Sequence, residues 1–159
     1  MYAHPVRTFR LVALLSFIVL TIGPFGCAER RPTQVLLPGV PDVTVEALET
    51  RYPLAAGQSV RVERLGSTTN VSYHFVQLAP GAGERLHLHT THDLLAVVLR
   101  GAGTQWIAQQ AKSVHPGDSV LIPANTPHRF VNTGDTSAAA LIIFSPPYDG
   151  SDQVFLDAK

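Results

Sequence analysis

The chain has 159 residues, a length that suits one domain, and its 12 Lys+Arg balance 12 Asp+Glu for a formal net charge of +0. That balance gives no electrostatic reason to expect a nucleic-acid partner, and a hydrophobic fraction of 45% excludes a chain too polar to bury a core. A single Cys excludes an internal disulfide.

Residues 1–28 read as a targeting segment. Arg7 and Arg10 precede an apolar run over residues 11–22, and the chain turns polar at Glu29-Arg30-Arg31. The run is short for a bilayer span, which needs about 20 apolar residues, and has the pattern of a secretory signal. Cys27, preceded by Gly26, resembles the lipobox of bacterial lipoproteins, with Pro24 where that family usually has Leu. The resemblance implies lipidation of Cys27 and a membrane anchor; ordinary cleavage after Ala28 is the other reading. Both predict an exported domain in the cell envelope. Asn70-Val71-Ser72 matches a glycosylation sequon, but a lipobox implies a bacterial chain, so it reads as strand.

Residues 29–58 read as a tether and leading segment, with three prolines by residue 41. Val43, Val45 and Leu48 fit either a strand or a single helical turn. Residues 59–159 form the main domain. Short apolar-alternating runs occur at 60–65, 70–78, 84–89, 94–99, 104–108, 119–122, 129–132 and 138–144. Turn residues separate them, as at Ala79-Pro80-Gly81 and His115-Pro116-Gly117. Closely spaced strands with no clear helix predict an all-β domain: a sandwich, jelly roll or barrel.

Three of the seven His fall within residues 87–92. Residues two apart on a strand face the same side, so His87 and His89 point together. A sheet presents two imidazoles to one metal in this way, although an H-x-H pair also fits a solvated surface. The pair has a context. Gly81 stands six positions before His87, and Gly101 closes the next strand; further on, Gly117, Pro123, His128 and Asn132 keep a fixed spacing.

These two segments resemble the two motifs of the cupin superfamily, G-x5-H-x-H-x(3,4)-E-x6-G and G-x5-P-x-G-x2-H-x3-N. Asn125 stands in for the middle Gly of the second, and Asn tolerates a left-handed backbone better than most residues. The resemblance implies a jelly-roll β-barrel in which His87, His89 and His128 converge on one divalent transition metal: Fe, Zn, Mn, Ni or Cu. The family's Glu falls on Leu94, which cannot bind a metal. Asp93 beside it, and His92, which shares the parity of position 94, are candidate extra ligands; a three-His site completed by water is favoured.

The resemblance also implies a small-molecule ligand or substrate, and pairing into homodimers through edge strands. The expected function is an exported, metal-dependent oxidoreductase, dioxygenase-like, acting on a small organic molecule. The alternative is a non-catalytic cupin module that binds a small ligand or a metal at the cell envelope. Metal binding is expected to fail below about pH 6, where free imidazoles protonate. Among other residues, His74 is expected to be half-exposed or hydrogen-bonded, and His115 solvated. Arg85 and Arg129 read as surface charges or as holders of an anionic substrate. Trp106, Tyr73 and Phe130 could line a pocket, with core packing the default reading.

Overall fold

The structure is a computed structural model that describes residues 34–35 and 43–156. In chain order its elements are β1 (Gln34–Val35), β2 (Val43–Thr44), α1 (Val45–Arg51), β3 (Val60–Ser67), β4 (Ser72–Leu78), β5 (His87–His89) and β6 (Asp93–Arg100). There follow β7 (Gly103–Ile107), β8 (Gln110–Val114), β9 (Ser119–Ile122), β10 (His128–Asn132), β11 (Ala138–Ser145) and β12 (Gln153–Phe155). Each strong alternating run became a strand. The polar run of β8 and the short β12 had no such pattern to announce them.

The strands pair antiparallel in two five-stranded sheets, β3-β4-β11-β6-β9 and β12-β5-β10-β7-β8, beside the small β1-β2 pair. This corrects the expected closed β-barrel. The two ladders stay separate: β3 and β9 end one sheet, and β12 and β8 end the other. The cause is how the chain changes layers. Residues 90–92 carry it from β5 in one sheet to β6 in the other through a turn, and β5 is only three residues long. Among the described residues each strand belongs to one ladder only, so the architecture is two open sheets.

The expected membrane anchor finds no support in the described residues. No helix among the described residues is long and apolar enough to cross a membrane, and the targeting segment with Cys27 lies outside the described residues.

The leading segment resolves its ambiguity by being both strand and helix. Thr44 caps α1, its Oγ1 accepting from the Ala47 amide at 3.2 Å. Seven residues are too few for a helix to hold alone in water. Packing holds this one: Val45 and Leu48, three apart and both buried, join Tyr73, Phe75, Leu99 and Leu141 in a core layer on the outer face of the first sheet. Glu46 and Glu49 clamp the other side by ion pairs with Arg100 at the end of β6.

A second core layer lies between the sheets, where Leu94, Ala96 and Val98 of β6 meet Val120, Ile122, Val114 and Phe144. Every residue of β4 is buried because it is covered on both sides. The second motif is a set of local fastenings. Asn132 is fully buried, its Nδ2 donating to the carbonyls of Leu78, Ala79 and Thr136 while its Oδ1 accepts from Gly134. Asn125 takes the left-handed backbone (φ 60°) expected of it, and its amide donates to the His89 carbonyl at 2.6 Å. The loop after β9 is thereby tied to the end of β5.

Candidate metal centre

Strand pairing brings the three histidines together. His87 and His89 share one face of β5, and His128 opens β10 directly opposite His87 in the antiparallel register. Cross-strand neighbours in such a pair stand about 5 Å apart. The His87 and His128 ring centroids are 4.3 Å apart, and those of His89 and His128 5.6 Å. One ligand nitrogen from each ring lies within 4.8 Å of the others, and all three residues are buried.

The orientation of each ring is set from behind. His87 Nδ1 lies 2.7 Å from the Arg85 carbonyl, and His128 Nδ1 lies 2.9 Å from the Thr126 carbonyl. His89 Nδ1 lies 3.0 Å from Asp152 Oδ1. Carbonyls and carboxylates accept hydrogen bonds, so Nδ1 carries the proton in each ring and Nε2 keeps its lone pair. Three neutral imidazoles with their donor atoms gathered are the chemistry a divalent transition metal requires. The residues present fit such an ion.

Asp152 is the residue that sequence reasoning missed. Besides His89 it accepts from the Thr91 amide and hydroxyl, each at 2.9 Å, and from His92 Nδ1 at 2.5 Å. Burial alone would raise its pKa; the hydrogen bonds from His92, Thr91 and His89 outweigh that and hold it well below the usual carboxylate range. No spacing rule marks an Asp in a turn-rich tail more than sixty residues from its partner. Glu84 was missed too, although it sits inside the spacer of the first motif. Its Oε2 accepts from the Phe130 amide at 3.0 Å, and desolvation raises its pKa against the pull of His87.

The candidate extra ligands do not join the cluster. Asp93 begins β6 and keeps strand parity, so it is exposed and its Oδ1 accepts from the Ala124 amide at 2.8 Å. Leu94 turns inward and lines the same cavity as the three histidines. His92 has both ring nitrogens beside acceptors, Asp152 and the Pro147 carbonyl, and is committed there.

Of the other residues, His74 is buried, bonded to Ser72 at 3.1 Å, and lines the cavity. His115 is exposed. Arg85 and Arg129 lie over the rings of Phe155 and Trp106. Tyr73 is core, while Phe130 lines the cavity.

Burial pushes His128 down to about 4 and lowers His89 as well. The acid limit of metal binding therefore moves below the pH 6 expected for free imidazoles. Stability follows the same window. Between about pH 4 and 6.5 the unfolded chain holds a proton at His128 and the folded chain does not, so stability rises with pH. A chelator-treated sample is expected to lose about 3 kcal/mol through this group as pH falls across the window. Urea melts at closely spaced pH values measure it, and a His128→Gln variant should flatten the slope.

The cupin domain family matches residues 74–144. An uncharacterised protein of Aquifex aeolicus is 36% identical over 97 residues, which span 61% of this chain and 78% of that one. A Thermus thermophilus crystal structure, TT1209, superposes with a TM-score of 0.58 at 20% identity, over 64% of this chain and 95% of that one. A structure described as a sugar phosphate isomerase of the cupin superfamily from Silicibacter pomeroyi superposes with a TM-score of 0.55 at 26% identity, over 63% and 67%. Both motifs, at residues 81–101 and 117–132, lie within the matched span, so this part of the chain is similar to a cupin domain.

Proposed function

We propose that this domain binds one divalent transition metal through His87, His89 and His128 and uses it in dioxygenase-like oxidoreductase chemistry on a small organic molecule. The observation that carries the reading is the shared arrangement of the three rings, each with Nδ1 held by an acceptor and Nε2 left to donate. When bound, such an ion supplies Lewis acidity and open coordination positions. The protein's own residues do the rest. Backbone carbonyls and Asp152 stop the rings from turning. Leu94 and the aliphatic positions beside it give the cavity apolar walls, and Glu84 lines the same cavity. Export belongs to the same proposal, supported by Arg7, Arg10 and the apolar run at residues 11–22.

The test is metal analysis of residues 29–159 purified without chelator or added metal, followed by oxygen-uptake measurement on the iron-loaded protein with a panel of small organic compounds. About one metal per chain and substrate-dependent uptake support the proposal; a protein that takes up no metal refutes it. Leu94 favours a second reading, a non-catalytic binding module, because the carboxylate expected at that position is missing. Metal retention without oxygen uptake on any compound would select it.

Leu94 also makes a prediction. Leu94→Glu is expected to tighten zinc binding about tenfold by adding an anionic ligand to a neutral set. The metal-free variant should melt lower than the parent, because its new carboxylate is buried without a partner. Competition titration and melting with and without zinc read the two effects separately.

A further inference from the structure

Taking the histidine cavity as the substrate site proposed above, we infer that His74 is a substrate-binding residue. Its Nδ1–H donates to a carbonyl-type oxygen of a molecule whose other end is held at His87, His89 and His128. His74 stands on β4, in the sheet that faces the strands of the metal centre across the cavity. Strand alternation turns it inward with Val76 and Leu78, which line the same space. The residue is only 6% exposed.

The hydrogen bonds of Ser72 decide which nitrogen of the ring carries the proton. Ser72 is fully buried. Its Oγ accepts from the Tyr148 amide at 2.9 Å and lies 3.1 Å from His74 Nε2. Among the described residues it has no third partner, so its hydroxyl proton goes to the Nε2 lone pair. The reverse arrangement, with Nε2–H donating to Oγ, would leave a buried hydroxyl proton without an acceptor. Burial, helped by Arg64, lowers the His74 pKa, so the ring is neutral and its one proton sits on Nδ1. Nδ1 meets no acceptor among the described residues, yet none of their buried polar side-chain atoms is left without a partner. It therefore opens onto the cavity that the ring lines. A histidine that served only packing would have both nitrogens tied, as His92 has.

Phe144 touches both polar ends of the cavity. Its ring centroid is 5.3 Å from that of His74 and 5.1 Å from that of His89, edge-to-face with each. The apolar middle of a substrate packs against it, with a metal-binding oxygen group at one end and an acceptor at the other. A neutral N–H in an apolar wall selects a carbonyl oxygen there over a second donor or a methyl group.

The test uses two keto acids of different span, levulinate and para-acetylbenzoate. Each is paired with the acid of the same shape in which a methyl group replaces the ketone oxygen, isocaproate and para-isopropylbenzoate. Affinities are measured by calorimetry on zinc-treated parent and His74→Phe, with zinc content determined on each sample. For at least one pair, the preference for the keto acid over its isostere is expected to fall at least tenfold in His74→Phe. An unchanged preference in both pairs overturns the inference, as does failure of every acid to bind the zinc-loaded parent. Should the variant not fold, ring-nitrogen NMR of the parent decides. His74 is expected to be protonated on Nδ1, and that proton signal to move with a keto acid and not with its isostere. A ring protonated on Nε2, or an equal response to both acids, overturns the inference. Zinc retained with an unchanged preference defeats this inference and leaves the metal reading standing. A sample that takes up no zinc defeats the metal reading, and the His74 ring signals still decide this one.

Discussion

His89→Ala is expected to lower zinc affinity by at least about a thousandfold. The substitution leaves two imidazoles where three are gathered, and two neutral nitrogens do not hold a divalent ion against water. Neither of the candidate extra ligands can substitute. Asp93 points to solvent on the opposite face of β6, and His92 is held between Asp152 and the Pro147 carbonyl. Position 94, where a carboxylate would reach, is Leu. The fold should survive, because Asp152 keeps His92 and Thr91 after His89 is gone. Competition against a chromophoric chelator measures the loss, with circular dichroism as the control for folding. Equal affinity in parent and variant would show that the histidine cluster is not a metal site.

Asp152→Ala is expected to cost about 3 kcal/mol of stability and 10- to 100-fold in zinc affinity. The stability loss comes from buried donors on His89, His92 and Thr91 left without their acceptor. The affinity loss comes from freeing the His89 ring and its tautomer. Asp152→Asn separates the two. Three donors converge on Oδ2 and one on Oδ1, so the amide oxygen of Asn will take the Oδ2 position and its NH2 will face His89 Nδ1. That donor moves the imidazole proton to Nε2 and blocks it as a ligand. The Asn variant should therefore melt close to the parent yet bind zinc as weakly as the Ala variant. If it binds zinc as the parent does, Asp152 is a structural residue only.

How far the sequence could be read depended on whether a feature is written locally. The half-buried strand β3 carries its period in its own residues, and β6 and β11, packed on both faces, show as nearly continuous apolar runs; both kinds were legible. The strand β8, exposed at four of its five positions, shows no alternation because it has no buried face to encode. Helix α1 was ambiguous because seven residues carry too little propensity; the core and Arg100 decide it from outside. Closure into a barrel was misjudged because pairing between distant strands leaves no trace in either strand alone. The site divides the same way. Strand parity put His87 and His89 on one face, and correctly set Asp93 apart from Leu94 once β6 proved continuous from its first residue. His128 came from the second motif. Asp152 belongs to no period and no motif, and only the completed fold brings it to His89.

On the proposed function, that late arrival sets when the protein could take up a metal. His89 leaves the ribosome 63 residues before Asp152, and its strand β5 has β12 as one of its two pairing neighbours. At about 5–20 residues per second, that is a delay of several seconds or more. Throughout it the imidazole of His89 has no carboxylate behind it and its strand has one open edge. The site is thus assembled last, after translation has passed residue 155, and the proposed ion capture would be a step of maturation instead of synthesis. Since three imidazoles accept several first-row metals, an ion bound there as proposed would be the one on hand in the compartment where folding finishes.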